Sequence, residues 1–216
     1  TLTIPIQFSG NQITLFWALE AVLLLWLSQK SKISSFKLGA IIVQVLAIIS
    51  LLMDWKRYSS SEELSILINP LFISGLVVSL SLFATYWLLK KENDTVTPFF
   101  TIKSKFYRTA VIIIAILVTY FTGILEIQHQ SIQFLANKAS AVALPVTYHF
   151  VFVAILLYLS SLFKKRIMLR GLLIISAISI LLYILRLYIL PTMEITENYI
   201  SDTNYKYRQS QGHRHR

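Results

Sequence analysis

Residues 12–29 read QITLFWALEAVLLLWLSQ, and this stretch decides the fold of the chain. As a helix it is apolar on every side apart from one carboxylate, Glu20, near its middle. A helix that is hydrophobic all round belongs in a membrane or in a large core. An acid at the centre of such a helix costs roughly 2.5–3.5 kcal/mol on insertion scales, so it usually has a partner or a function. We therefore predict a membrane-spanning helix with Glu20 as a candidate site residue.

The composition of the whole chain also indicates a membrane protein. Of its 216 residues, 56% are hydrophobic and only 14% are charged, whereas soluble domains carry about 25% charged residues. The formal charge is +10, but the basic residues lie in short loops, and we predict no nucleic-acid partner because no binding motif is present. The lack of cysteine excludes disulfides, thiolate nucleophiles and sulfur-ligated metals.

Six apolar runs predict an all-α fold, a polytopic transmembrane helix bundle over residues 1–190. Most of the runs approach the ~20 residues that a spanning helix needs. The polar residues 191–216 predict a disordered tail. The chain begins at Thr1 without the pattern of a signal peptide, and we expect it to be part of a longer chain. The predicted spans are 12–29, 37–54, 69–89, 108–126, 143–163 and 171–190.

The loop charges predict the orientation of these spans. Loops on the cytoplasmic side carry an excess of Lys and Arg. Most basic residues here follow the first, third and fifth spans, as in the run Lys164-Lys165-Arg166. We therefore predict that these three loops face the cytoplasm and that Thr1 lies outside.

In this orientation the ionisable residues within or next to the spans lie in the outer half of the membrane. Glu20 and Arg186 lie inside spans, and a structural ion pair between them is the simplest interpretation, with a substrate site as the alternative. Asp54 and Glu126 close the outer ends of their spans, and we interpret them as solvated boundary residues.

Two further polar residues, Tyr148 and His149, are adjacent in the outer third of the fifth span. We interpret them as an interfacial pair, with a catalytic base at His149 as the alternative.

Small polar side chains recur at helical spacing in three spans. Because lipid offers them no partner, we expect these stripes to face other helices, as close-packing contacts more often than as ligand sites. They are Ser74, Ser81 and Thr85; Ala115, Thr119, Thr122 and Glu126; and Ser176, Ser179, Tyr183 and Arg186.

Residues 4–28, IPIQFSGNQITLFWALEAVLLLWLS, are followed by a basic loop and a Gly-led helix that ends in Leu-Leu-Met-Asp. This arrangement resembles the bacterial membrane proteins of the family DUF2339 (domain of unknown function 2339), in which a Trp-Ala-x-Glu helix precedes a helix with an acidic end. The matching residues are Trp17, Ala18, Glu20 and Asp54, and the resemblance is best over residues 4–55. It implies a longer chain with more spans, in a bacterial cytoplasmic (inner) membrane, and no defined molecular activity.

The sequence leaves two function hypotheses open. No nucleophile–base arrangement, HExxH helix, paired aspartates or Gly-rich phosphate loop is present, so we predict no catalytic, metal or cofactor-binding residues and no cofactor. The first hypothesis is a transporter-like or envelope-assembly component, with the bilayer and its own longer chain as partners. The alternative is a membrane-embedded enzyme for a lipid-linked or periplasmic substrate, with Glu20, His149 or Glu126 as acid or base. The candidate polar centre comprises Trp17, Glu20, Asp54, Glu126, Tyr148, His149 and Arg186.

Overall fold

The computed structural model describes residues 11–59, 64–91, 95–96, 101–102, 104–134, 138–162, 166–184 and 200. Most of these residues are helical, which confirms the all-α prediction. Short 3₁₀ helices follow the second and third α-helices, at Lys56–Ser59 and Leu89–Lys91, and two-residue antiparallel strands β1 (Thr95–Val96) and β2 (Thr101–Ile102) precede the fourth. The α-helices are α1 (Asn11–Ser31), α2 (Ser34–Trp55), α3 (Pro70–Leu88), α4 (Ser104–Phe134), α5 (Lys138–Leu162) and α6 (Arg166–Leu182).

Five of the described helices are long and apolar enough to cross a membrane. They are α1, α3, α4, the segment Ser34–Tyr58 that contains α2, and Ala143–Leu162 of α5, whereas α6 offers a shorter apolar segment, Leu169–Leu182. Large apolar side chains such as Leu23, Met53 and Leu80 are more than half exposed, as lipid-facing residues are. The chain is therefore a multi-pass membrane protein.

The fourth helix is longer than the predicted span that it contains. We expected 108–126, but α4 continues to Phe134, about two turns past Glu126. The sequence IQHQSIQF after Glu126 is too polar for the middle of a bilayer, but a helix can leave the bilayer and continue beyond it. The sixth predicted span is described only to residue 184, and of the predicted tail only residue 200 is described.

Helices α1 and α2 form an antiparallel pair through small and polar side chains at alternating spacings of three and four. In α1 the buried residues are Thr14, Ala18, Ala21, Leu25 and Ser28. In α2 they are Lys37, Ala40, Gln44, Ala47, Leu51 and Asp54. Small residues at this spacing allow two helix backbones to approach closely in a membrane.

Helix α3 packs on this pair, and α4 approaches α3 closely at Gly75. A Cβ atom added to Gly75 of α3 would lie 2.5 Å from Thr122 Oγ1 and 2.6 Å from its Cγ2. The glycine is therefore required by the close approach of α4. The predicted stripe on α3 is buried, and two of its hydroxyls contact Gln44: Nε2 of Gln44 donates to Ser81 Oγ and Thr85 Oγ1 donates to Gln44 Oε1, both at 3.4 Å. This confirms that the α3 stripe faces another helix.

The chain divides into two compact units, Thr1–Gln130 and Ser131–Arg216. In the second unit the last turn of α4 contributes to the start of α5. Pro145 has no N–H to donate to the carbonyl of Ala141, four residues earlier. Instead, Ser131 Oγ donates to Ala141 O at 2.9 Å, and Ser131 is buried. The extension of α4 therefore supplies a partner for a carbonyl that proline leaves free.

Candidate functional site

The carboxylate of Glu126, in the interior of α4, is the centre of a cluster of hydrogen bonds. Its side chain is only 2% exposed. The interpretation of Glu126 as a solvated helix-end residue is therefore wrong. The helix continues past it, and protein donors take the place of water around it.

Each oxygen of this carboxylate accepts two hydrogen bonds. Oε1 accepts from the backbone N–H of Leu67 and from Gln130 Nε2, each at 3.0 Å. Oε2 accepts from Asn69 Nδ2 at 2.8 Å and from Tyr58 OH at 3.0 Å. We call these five residues the Glu126 cluster. It joins α4 to the 3₁₀ helix after α2 and to the loop before α3.

Local sequence explains how the loop presents its donors. Asn69 is the N-cap of α3: its Oδ1 accepts from Phe72 N at 2.8 Å, and Pro70 occupies the first turn. With Oδ1 occupied in this way, the amide nitrogen of Asn69 points toward Glu126. Leu67 has a positive φ of 61°, a conformation that L residues adopt at a cost. It directs the Leu67 N–H at the carboxylate.

Three buried polar atoms lie on residues of this cluster or on their neighbours and lack a hydrogen-bond partner within the described chain. They are Trp55 Nε1, His129 Nε2 and Gln130 Oε1. The His129 ring packs edge-on against Tyr58 at a centroid distance of 5.6 Å. Buried groups of this kind ordinarily bind water or a ligand. The unused hydrogen-bonding capacity here belongs to these side chains and not to the carboxylate.

Asp54 belongs to a second and smaller polar cluster between α1 and α2. Its Oδ2 accepts from Thr14 Oγ1 at 2.6 Å, and the same hydroxyl oxygen lies 2.7 Å from Ser50 Oγ. Asp54 is only 3% exposed, so its interpretation as a solvated boundary residue is also wrong. The sequence contained a signal, since Thr14 and Asp54 both lie on the heptad-spaced stripes of their helices.

Trp17 and Glu20 lie on α1 beside its buried stripe. Trp17 is partly buried against the hydrophobic core of the first unit. Glu20 is half-buried and has no hydrogen bond or ion pair among the residues that the structure describes. Arg186 lies outside the described residues, so the ion pair between Glu20 and Arg186 stays a prediction.

Tyr148 and His149 lie on α5 in the second unit. His149 Nε2 is 2.9 Å from Ser179 Oγ of α6, and Ser179 Oγ donates to Ile175 O at 2.8 Å. With the hydroxyl proton directed to that carbonyl, the ring nitrogen is the donor in the His–Ser contact. This contact confirms that Ser179 of the predicted α6 stripe faces another helix. The Tyr148 ring packs on Phe152 at a centroid distance of 5.8 Å.

The structure thus places the candidate residues in separate clusters and adds partners that the sequence analysis missed. Tyr58, Leu67, Asn69 and Gln130 surround Glu126, and Thr14 binds Asp54. Two signals were available: Gln130 follows Glu126 at i,i+4, and Asn69-Pro70 is an N-terminal capping pattern. Nothing local indicated that either one concerned Glu126.

Within the described segments, no group of three or more His, Cys, Asp or Glu residues could hold a metal ion. Comparisons of the chain with protein-family models, with curated proteins and with solved structures found no match.

Proposed function

We propose that this protein is a non-catalytic component of a bacterial cytoplasmic membrane, of the transporter-like or envelope-assembly class. In this proposal the Glu126 cluster is a structural joint at the outer end of the first unit. The joint ties the end of α2, the loop before α3 and the extension of α4 into one arrangement. The longer chain, the bilayer and the kinship with DUF2339 belong to the same proposal.

The observation that carries the proposal is that hydrogen-bond donors occupy all the acceptor sites of the Glu126 carboxylate. An ionised carboxylate has about four lone-pair sites, and four protein donors occupy them here. A general acid or base must reach the proton that it transfers in a bound substrate. Because Glu126 has neither exposure nor free acceptor capacity, its arrangement favours a structural role over the enzymatic one.

Orientation rests on the distribution of basic residues. In the described chain, Lys30, Lys32 and Lys90 are exposed at the end of α1 and after α3. The Glu126 cluster lies after the end of α2 and before the start of α3, so it is at the other end of these two helices from the basic residues. With the basic loops in the cytoplasm, the cluster is at the outer face of the cytoplasmic membrane.

A paired measurement in cells tests the proposal. Cells that lack the native copy would express Glu126→Gln or Tyr58→Phe, and both envelope growth defects and the abundance of the protein in the membrane would be measured. A structural joint predicts that function falls only in proportion to abundance. Normal abundance of Glu126→Gln with complete loss of function would contradict the proposal and assign chemistry to the carboxylate.

One contact favours the alternative, a membrane-embedded enzyme. His149 Nε2 and Ser179 Oγ are at the distance expected of a base and its nucleophile. The hydroxyl nevertheless donates to a carbonyl of its own helix, which is ordinary for serine in a helix. Ser179→Ala separates the two functions: normal growth and abundance support packing, whereas normal abundance without function would support acyl or hydrolytic chemistry.

A further inference from the structure

Three large apolar side chains stand out from the loop immediately before α3. Ile66, Leu67 and Ile68 are 56%, 55% and 79% exposed. Turns that face water are usually built from Gly, Pro, Asn, Asp and Ser. A contiguous apolar tripeptide in this position indicates a surface that is covered by something other than water.

The backbone of this loop is bonded within the protein. Leu67 N donates to Glu126 Oε1 at 3.0 Å, and Ile68 N donates to Ile66 O at 2.7 Å. Ser65 Oγ donates to Ile68 O at 2.6 Å. Two further donors reach loop carbonyls, Asn69 Nδ2 to Ser65 O and Gln130 Nε2 to Leu64 O. Irregular backbone can face lipid only where its polar groups are satisfied internally, and these contacts meet much of that requirement.

The length of α3 places the tripeptide at the edge of the hydrocarbon layer. Helix α3 starts two residues after Ile68, at Pro70, and contains 19 residues. At ~1.5 Å per residue it is about 28 Å long, close to the ~30 Å thickness of the hydrocarbon core. The start of α3, and the loop with it, therefore lies near the boundary between acyl chains and headgroups.

The tripeptide also continues an apolar surface of α3. Ile73, Leu76 and Leu80 are all exposed, and their spacing of three and four residues puts them on one face, opposite the buried stripe. That face of a spanning helix contacts lipid. The loop extends this lipid-facing surface toward the headgroups.

We propose that residues 66–68 are an interfacial anchor, which inserts its three side chains into the leaflet at the Pro70 end of α3. The occupant of this surface is lipid and not a protein strand, because a strand would pair with free backbone groups and most of those in residues 66–68 are already bonded. The Glu126 cluster holds the loop in the shape that exposes the side chains. This inference goes beyond the proposed function and does not depend on it, since it requires only the fold.

Site-directed spin labelling tests the anchor in the whole chain. The sequence has no cysteine, so Ile66→Cys and Ile68→Cys would be labelled singly and reconstituted into nanodiscs of phosphatidylethanolamine and phosphatidylglycerol. Leu80→Cys is the matched control for lipid, and Lys56→Cys, exposed on the same side as the loop, is the control for water. The collision rates of each label with oxygen and with a water-soluble nickel chelate are then measured.

The anchor predicts that labels at 66 and 68 collide more with oxygen than with nickel, at a depth between the two controls. A nickel accessibility equal to that of Lys56→Cys would overturn the proposal by placing the loop in water. Low accessibility to both reagents would also overturn it, because a protein surface would then cover the tripeptide.

Discussion

Replacing Glu126 by glutamine tests how the Glu126 cluster holds α2, α3 and α4 together. The amide keeps the shape of the side chain but turns one oxygen into an NH₂ group. If NH₂ replaces Oε2, it faces Asn69 Nδ2, an amide nitrogen that can only donate. The Asn69 amide cannot turn its oxygen toward the new NH₂ group, because that oxygen caps α3. If NH₂ replaces Oε1, it faces the backbone N–H of Leu67. In either orientation at least one buried donor stays opposed to another donor.

The size of the effect follows from these contacts. One buried unsatisfied donor costs about 1–3 kcal/mol, and hydrogen bonds to a neutral acceptor are about half as strong as those to a carboxylate. We therefore expect Glu126→Gln to lower the free energy of unfolding by about 2–4 kcal/mol, or roughly 30- to 700-fold in the folded-to-unfolded ratio. Tyr58→Phe should cost less, and its effect should shrink in the Glu126→Gln background.

The assay is unfolding of the purified protein in detergent, followed by circular dichroism during a titration with denaturing detergent. Gln12→Ala is the control, an exposed position on α1 where surface substitutions change stability within ±0.5 kcal/mol or so. A loss below about 0.5 kcal/mol for Glu126→Gln, or a gain in stability, would refute the reasoning. A stabilised variant would indicate a carboxylate kept for function at the expense of stability.

Two further predictions concern helix packing. Gly75→Ala should lower the free energy of unfolding by about 1–3 kcal/mol through overpacking against α4, whereas Gly39→Ala should be near neutral, because its nearest neighbour would be at an ordinary 3.7 Å; equal effects would contradict the close crossing. Ser131→Ala should cost about 1 kcal/mol, and less in a Pro145→Ala background, where the helix regains its own N–H donor; strictly additive losses would contradict the compensation.

The predicted ion pair between Glu20 and Arg186 can be tested with single and double variants. Removing one partner of a buried ion pair leaves an uncompensated charge and typically costs about 3–5 kcal/mol. Glu20→Gln and Arg186→Gln should each lower the folded yield, and the double variant should recover part of it. Losses that simply add would show that the two side chains do not touch, and would strengthen Glu20 as a functional residue.

The helices themselves were predictable from the sequence because their signal is local. A run of about 20 apolar residues is sufficient evidence for a span, and α1, α2 and α3 begin and end within three residues of the prediction. The heptad spacing of small residues in α1 and α2 is also readable, since buried faces of paired helices repeat every three or four residues.

The state of the two carboxylates was not predictable in this way. Hydropathy ends a span at the first charged residue, so Asp54 and Glu126 looked like boundaries. Whether an acid is solvated or buried depends on donors that are distant in sequence: Tyr58 and Asn69 bind Glu126 from 68 and 57 residues away. Partners so distant in sequence leave no signal in a single chain.

The proposed role of the Glu126 cluster requires that it lies at the outer face of the cytoplasmic membrane, where α4 emerges from the bilayer. Labelling of single cysteines with an impermeant thiol reagent in intact cells tests this directly, at Gln128→Cys just after Glu126 and at Ser35→Cys at the other end of the bundle, both exposed positions. In the proposed orientation, Gln128→Cys is labelled in intact cells and Ser35→Cys is labelled only after permeabilisation. Labelling of Ser35→Cys with protection of Gln128→Cys would contradict it.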